Sequence, residues 1–147
     1  CKLPAVFTDS ALIGSKPIPD GEAVIVPNRN MLLIASATAY AAQNDFDAVA
    51  IGCNSDDGVD YPDCGRMFLS AMAKSMRFCH TRKIHLFAPF VWEGMSKVDV
   101  VKLASKLGVP ISDTWSCYKG MAKPCGTCGA CLLRDSAITE GRYSRFD

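Results

Sequence analysis

Four cysteines crowded near the C-terminal end constrain this chain more than any other feature. Cys125, Cys128 and Cys131 follow one another at three-residue intervals, and Cys117 precedes them by eight residues. Glycines between these cysteines let the backbone turn tightly enough for four sulfurs to reach one ion, at about 2.3 Å each. A site with four thiolates and no open position is structural, so the pattern predicts a zinc-binding loop over residues 117–131.

Two other kinds of site use cysteines at this spacing. Three cysteines so arranged also occur in ferredoxins, where they hold an iron–sulfur cluster, and a cysteine pair can form a redox dithiol. We prefer zinc, and the residues alone leave both alternatives open. A zinc site should contribute folding free energy directly, which would make the segment sensitive to chelators.

The remaining four cysteines are scattered through ordinary sequence. Cys1, Cys53, Cys64 and Cys79 mostly lie beside predicted strands and helices, where free thiols behave as small hydrophobic groups. A secreted disulfide framework would more often spread its cysteines through a short, loop-rich chain. We therefore expect a reducing, cytoplasmic environment.

Composition indicates one ordinary globular domain over residues 1–147. The hydrophobic fraction is 49% and the charged fraction 21%, and domains most often have about 100–150 residues. No apolar segment approaches the roughly 18–20 residues of a membrane span. A net charge of +1 gives no electrostatic reason to expect a nucleic-acid or membrane partner, which favours a small-molecule site or a protein contact.

Helical and strand patterns alternate along the chain. Apolar residues at three- and four-residue spacing predict helices, and short apolar runs predict strands. The predicted elements are a loop over 1–28, a helix over 31–43 with Asn30 as its N-cap, a strand over 48–51 covered on both faces, a polar loop over 54–63, a helix over 68–76, a strand over 84–88 closed by a proline, a helix opened by Ser96 and ended at Gly108, and a helix over 130–138.

This alternation predicts an α/β fold, a parallel sheet with crossover helices. Two strands do not make a stable sheet of this kind. Either further strands lie within residues 1–28, or part of the sheet is missing from this chain. We prefer the second and expect the sheet to be incomplete at the N-terminus.

Two cations are placed to bind anions. Arg29 precedes an apolar helix, and a helix N-terminus has unpaired N–H groups that attract negative charge. Lys97 stands on the first turn of a later helix and is placed to neutralise a phosphate. The alternative is that Arg29 belongs to a routine turn and that Lys97 is simply solvated.

The loop from Gly52 to Cys64 follows the C-terminal end of a predicted strand, where parallel α/β sheets bind their ligands. Its aspartates, among them Asp57 and Asp63, could bind a nucleotide-borne magnesium ion or a purine-like ring, and Tyr61 could stack on such a ring. The alternative is a solvated acidic loop without function.

Taken together, the motifs resemble those of the 7-cyano-7-deazaguanine synthase family over about residues 24–138. The resemblance rests on residues 26–30, the loop from Gly52 to Cys64, Pro89 with Ser96 and Lys97, residues 116–118, and the cysteine loop leading to Arg134. It implies an adenine-nucleotide alpha-hydrolase-like fold, a four-cysteine zinc site, and an ATP-dependent ligase of queuosine biosynthesis. That ligase converts 7-carboxy-7-deazaguanine and ammonia to the nitrile through an adenylated carboxylate and an amide.

The resemblance also implies roles for particular residues. Arg29 and Lys97 would be catalytic, binding anionic groups. The substrate-binding residues would be Asn30, Asp57, Tyr61 and Asp63. The cofactors would be zinc, ATP and magnesium, and the partners 7-carboxy-7-deazaguanine, ammonia and ATP. The family also leads us to expect a homodimer, while the expectation of no nucleic-acid or membrane partner rests on the net charge.

Two features depart from the family pattern. The family has a Ser-Gly-Gly-x-Asp-Ser phosphate loop, which this chain lacks, so we expect the chain to be the C-terminal portion of a longer ligase. Gly65 also separates Cys64 from Arg66, where the family has arginine directly after the cysteine.

A catalytically inactive zinc-binding interaction module stays an alternative to the ligase function. A tRNA-thiolating enzyme of the same fold is another, although the near-neutral charge disfavours it.

Overall fold

The structure, a computed structural model, describes residues 17, 18, 20 and 25–143, with side chains as far as residue 141. Most of the loop expected over 1–28, and Cys1 with it, lies outside the described residues. The chain divides into two compact units, one formed by residues 28–96 and the other by residues 1–27 with 97–147. The single domain expected from composition stays a prediction. Within the described part of the chain, no helix is both long enough and apolar enough to cross a membrane.

The unit formed by residues 28–96 is built around a two-stranded parallel sheet. Strand β1 (Ala48–Ala50) pairs with β2 (His85–Phe87), so that Val49 lies opposite Leu86. The connection between them contains the short helix α2 (Asp57–Asp60), a 3₁₀ turn (Pro62–Cys64) and helix α3 (Arg66–Met76). A helical crossover between parallel strands is the expected arrangement, and the predicted α/β fold with a parallel sheet is confirmed.

Helix α1 (Arg29–Gln43) precedes β1 and begins two residues earlier than predicted. Its buried face carries Ile34, Thr38 and Ala41 at three- and four-residue spacing, as an amphipathic helix requires. The assignment of Asn30 as N-cap was wrong. Asn28 occupies that position in a left-handed conformation with φ of 57°, which asparagine tolerates better than most residues.

The core of this unit forms where α1 and α3 pack against the sheet. Its largest fully buried side chains are those of Ile34 and Leu69, and Leu86 and Val91 belong to the same cluster. Strand β1 is not covered on both faces as predicted. Ala48 and Ala50 are exposed, and only the intervening Val49 packs on the cluster.

A short helix, α4 (Pro89–Trp92), follows β2 directly and was missed by the sequence analysis. Pro89 was interpreted only as the end of a strand, yet proline is equally suited to the first turn of a helix. Arg66 donates a hydrogen bond to the carbonyl oxygen of Trp92 at 3.0 Å. Arg66 thus connects the start of α3 with α4.

The described part of the other unit is mainly two packed helices. Helix α5 (Lys97–Lys106) is followed by Gly108, whose φ of 69° suits the residue after a helix. A 3₁₀ turn (Ile111–Asp113) follows, and α6 (Gly129–Tyr143) extends five residues beyond the predicted end. Helix α6 continues through Gly141, where α5 is so close that an added Cβ would lie 2.8 Å from Val101 Cγ1.

Candidate functional site

The four clustered cysteines meet in space. The sulfurs of Cys117, Cys125, Cys128 and Cys131 all lie within 4.8 Å of one another, and all but Cys125 are buried. The sulfurs of Cys125 and Cys131 are 3.9 Å apart. Tetrahedral bonds of about 2.3 Å place neighbouring sulfurs about 3.8 Å apart. The group therefore fits a single tetrahedral metal ion, and these four residues could hold one.

Backbone N–H groups hold the sulfurs in this arrangement. The N–H groups of Thr127 and Cys128 donate to Cys125 Sγ at 3.4 and 3.3 Å, and the N–H of Cys125 donates to Cys117 Sγ at 3.4 Å. Gly126, with φ of 74°, supplies the left-handed turn that aims two consecutive N–H groups at one sulfur.

The cysteines differ in acidity. Hydrogen bonds from the N–H groups of Cys128 and Thr127 lower the pKa of Cys125 to about 6. Burial raises the pKa of Cys131 to about 12. Metal ligation needs the proton of every ligand thiol to leave, so a bound cation would favour the thiolate form of all four cysteines.

A second cluster forms in the unit of residues 28–96, where the start of α1 meets the 3₁₀ turn Pro62–Cys64. The backbone N–H of Asn30 donates to Asp63 Oδ2 at 2.9 Å, so a carboxylate stands at the positive end of the helix. The Arg29 guanidinium lies over the Tyr61 ring, 5.9 Å from its centroid, within reach of a cation–π interaction. Four residues predicted for the site, Arg29, Asn30, Tyr61 and Asp63, are thus together.

The side chain of Asn30 is buried and bound to protein groups. Its amide nitrogen donates to the carbonyl oxygen of Asp63 and to Cys64 Sγ, each at 3.1 Å. A hydrogen bond with Cys53, aided by the one from Asn30, lowers the pKa of the Cys64 thiol, although burial and the neighbouring carboxylates act to raise it. From the sequence, Cys53 and Cys64 were interpreted as scattered thiols, although both lie in the loop from Gly52 to Cys64, and that position was the signal that linked Cys64 to the site.

Asp57 is held at the start of α2 by a residue that the sequence analysis overlooked. Both the backbone N–H and the side-chain amide of buried Asn54 donate to Asp57 Oδ2 at 3.0 Å. In return, Asn54 Oδ1 accepts from the N–H groups of Asp56 and Asp57, at 3.0 and 3.3 Å. This reciprocal bonding resembles a capping box, and an asparagine three residues before an aspartate was the sequence signal.

Lys97 begins α5 and belongs to the unit that holds the cysteines. It lines a cavity of about 170 Å³ between α5, α6 and the segment between them. Most of the lining is apolar, and Arg134 adds a second cation, which donates to Ile111 O at 2.7 Å and to Thr114 Oγ1 at 2.5 Å. Lys97 thus borders a concave apolar surface with cationic groups at its edge.

Comparison with known proteins gives a consistent family. The family model described as "Queuosine biosynthesis protein QueC" matches residues 4–142. The chain is similar to the 7-cyano-7-deazaguanine synthase of Gloeothece citriformis, with 42% identity over 123 residues, covering 80% of this chain and 53% of the relative. For the 7-cyano-7-deazaguanine synthase 2 of Colwellia psychrerythraea the identity is 35% over 141 residues, covering 90% and 64%.

A third relative, the 7-cyano-7-deazaguanine synthase of Allorhizobium ampelinum, is 39% identical over 145 residues, covering 91% of this chain and 60% of its own length. The chain therefore spans between half and two thirds of the length of these relatives. Because one family model matches almost the whole chain and the four cysteines assemble as a site, the chain belongs to the QueC family of queuosine biosynthesis proteins.

Proposed function

We propose that this chain forms part of an ATP-dependent ligase that converts 7-carboxy-7-deazaguanine and ammonia to 7-cyano-7-deazaguanine. One observation carries the proposal: Asn30, at the start of α1, donates hydrogen bonds to Asp63 and Cys64. These bonds join residues 26–30 to the loop from Gly52 to Cys64, which are two of the motifs on which the family resemblance rests. The match of the family model over residues 4–142 supports it.

The chemistry requires two activations. A carboxylate is a poor electrophile, and transfer of the adenylyl group of ATP to its oxygen releases pyrophosphate and creates a leaving group. Ammonia then displaces AMP and forms the amide. A second ATP transfers its adenylyl group to the amide oxygen and releases pyrophosphate. That oxygen then leaves as part of AMP, and loss of both amide N–H protons gives the nitrile. The task of the protein is to align the reacting groups and to offset the developing negative charge.

In this proposal the side chains of Arg29 and Lys97 bind the phosphate or carboxylate groups of the substrates. Arg29 lies over Tyr61 at the start of α1, where a guanidinium and the helix N-terminus together favour an anion. Lys97 borders the cavity beside α5 and is proposed to bind a phosphate or carboxylate. Both are assigned to catalysis through charge stabilisation.

The acidic and aromatic side chains are assigned to the base or to a nucleotide-bound magnesium ion. Tyr61 would stack on the deazaguanine ring, while Asp57 and Asp63 would accept hydrogen bonds from it or contact the magnesium. Since the Asn30 amide is occupied by Asp63 and Cys64, we assign Asn30 to holding that turn in place.

The metal proposed for the cysteine loop is zinc. Four thiolates at tetrahedral spacing, with no fifth protein ligand in the described cluster, make a closed structural site that would contribute folding free energy. The cytoplasmic location, the homodimer and the lack of nucleic-acid partners stay predictions.

The test is an assay of product formation by the protein expressed from the whole natural reading frame that encodes this chain. Mass spectrometry asks whether 7-carboxy-7-deazaguanine, ammonia and Mg-ATP yield the nitrile. Formation of the nitrile and of AMP is expected. A metal-loaded, folded protein that makes neither would contradict the ligase function and favour an inactive zinc-binding interaction module.

Two substitutions test the catalytic assignments within that assay. Arg29→Gln and Lys97→Gln should each lower kcat/KM by about 10²-fold, the effect of removing one electrostatic stabiliser. Arg77→Gln at the exposed end of α3 and Lys106→Gln at the exposed end of α5 are matched controls. Equal activities of test and control variants would contradict the assignments.

A further inference from the structure

Three polar residues form a network next to the cysteine cluster. The ammonium of Lys119 contacts Asp20 Oδ1 at 2.5 Å and Thr127 Oγ1 at 3.3 Å, and the Thr127 hydroxyl donates to Asp20 Oδ1 at 2.7 Å. Asp20 lies 99 residues before Lys119 and 107 before Thr127 in the chain. One carboxylate oxygen therefore joins a sequence-distant segment to both residues.

The network touches the segment that carries the metal ligands. Thr127 lies between Cys125 and Cys128, and its backbone N–H donates to Cys125 Sγ at 3.4 Å. Lys119 follows Cys117 by two residues, and Ile18, two residues before Asp20, packs against the cysteine cluster. Fixing the Thr127 side chain on Asp20 thus fixes the backbone that holds Cys125.

Charge gives the network a second effect. Four thiolates around a divalent ion carry a net charge of about −2, so a nearby cation stabilises the loaded site. The Lys119 ammonium donates to Asp20 Oδ1 and to Thr127 Oγ1, and the backbone N–H of Thr127 in turn donates to Cys125 Sγ, so the ammonium is held next to the segment that carries the cluster. Asp20 keeps that ammonium beside the cluster, on a side chain that is only 27% exposed.

We propose that Asp20, Lys119 and Thr127 form an outer shell of the metal site, which pre-organises the cysteine loop and sets its affinity for the metal ion. None of the three is a ligand. They act on the metal through the position of Cys125 and through the charge of Lys119. Outer-shell partners of protein metal sites characteristically change metal affinity by 10- to 100-fold when removed.

The test measures zinc affinity by competition with a chromophoric chelator, on the purified chain loaded with zinc. Asp20→Asn, Lys119→Met and Thr127→Val should each weaken zinc binding by about 10- to 100-fold. Lys123→Met, a change of an exposed lysine in the same loop, is the matched control and should leave the affinity unchanged. Affinities of the three variants equal to that of the control would overturn the proposal.

A double variant separates a shared network from general damage to the fold. Because Asp20 and Thr127 act through one hydrogen bond, Asp20→Asn combined with Thr127→Val should cost less affinity than the two single losses multiplied. Multiplicative losses would overturn the proposal. Circular dichroism of the zinc-loaded forms checks that each variant is folded, and neither readout depends on ligase activity.

Discussion

At the scale of single residues, Asn30 does most to hold the proposed substrate site together. Its backbone N–H binds the Asp63 carboxylate, and its side chain binds the Asp63 carbonyl and the Cys64 sulfur. Only 4% of the residue is exposed, so water cannot replace these partners. The residue thus connects the start of α1 with the turn that carries Tyr61.

Replacing Asn30 with alanine tests this connection. Asn30→Ala leaves the half-buried Asp63 carbonyl and the buried Cys64 sulfur without their donor, which should lower the free energy of unfolding by about 1–3 kcal/mol in urea titration. Asn44→Ala, at the C-cap of the same helix, is the matched control, because Asn44 donates to Tyr40 O from an exposed position. A loss at Asn44 as large as that at Asn30 would contradict the argument.

Buried packing is tested in the same way with two leucines. Leu69 in α3 is fully buried, whereas Leu33 in α1 is 50% exposed. Leu69→Ala should lower the free energy of unfolding by about 2–5 kcal/mol through lost burial and a cavity. Leu33→Ala should cost less than about 1 kcal/mol, and calorimetry or urea titration that ranks the two variants in the opposite order would place the core elsewhere.

At the scale of elements, the sequence predicted the long helices, both strands and the metal loop, because each depends on local periodicity or spacing. The α3 pattern and the stop at Gly108 needed no tertiary information. The errors arose where distant contacts decide. Asn30 looked like a cap, yet its amide is used by Asp63 and Cys64, which are more than 30 residues away.

The exposure of β1 was also predicted wrongly, because it too depends on tertiary contacts. The apolar run around β1 predicted cover on both faces, but cover depends on which elements pack there, and Ala48 and Ala50 are exposed. The outer-shell role of Asp20 was equally hidden, because nothing local distinguishes it from a solvated aspartate. The metal ligands were predictable since their spacing alone brings four sulfurs together.

Helix packing at Gly141 gives a prediction at the element scale. An added Cβ would lie 2.8 Å from Val101 Cγ1, so Gly141→Ala should force α6 from α5 and lower the free energy of unfolding by about 1–3 kcal/mol. Gly52→Ala, at a glycine with no atom within 4 Å of the added Cβ, is the control.

A compensating change sharpens that test. Truncating Val101 to alanine makes room for the new methyl group, so the double variant with Gly141→Ala should be more stable than the sum of the single losses predicts. Strictly additive losses, measured by urea titration, would mean that the two residues are not in contact.

At the scale of the whole molecule, the four clustered cysteines lie in one compact unit and the Asn30 cluster in the other. Removal of the metal should therefore change amide hydrogen exchange in the first unit more than in the second. Treatment with a chelator should increase amide hydrogen exchange at residues 117–131, because thiolate ligation holds that loop. Exchange within residues 28–96 should change little, and an equal increase in both units would contradict this assignment.

Native mass spectrometry shows directly whether the four clustered cysteines form one closed metal site. We expect one zinc ion bound to the chain. Cys128→Ser should abolish stable binding, and Cys79→Ser, at an exposed cysteine outside the cluster, should retain it. A chain that binds no metal under these conditions, or that carries the mass of an iron–sulfur cluster instead, would contradict the account.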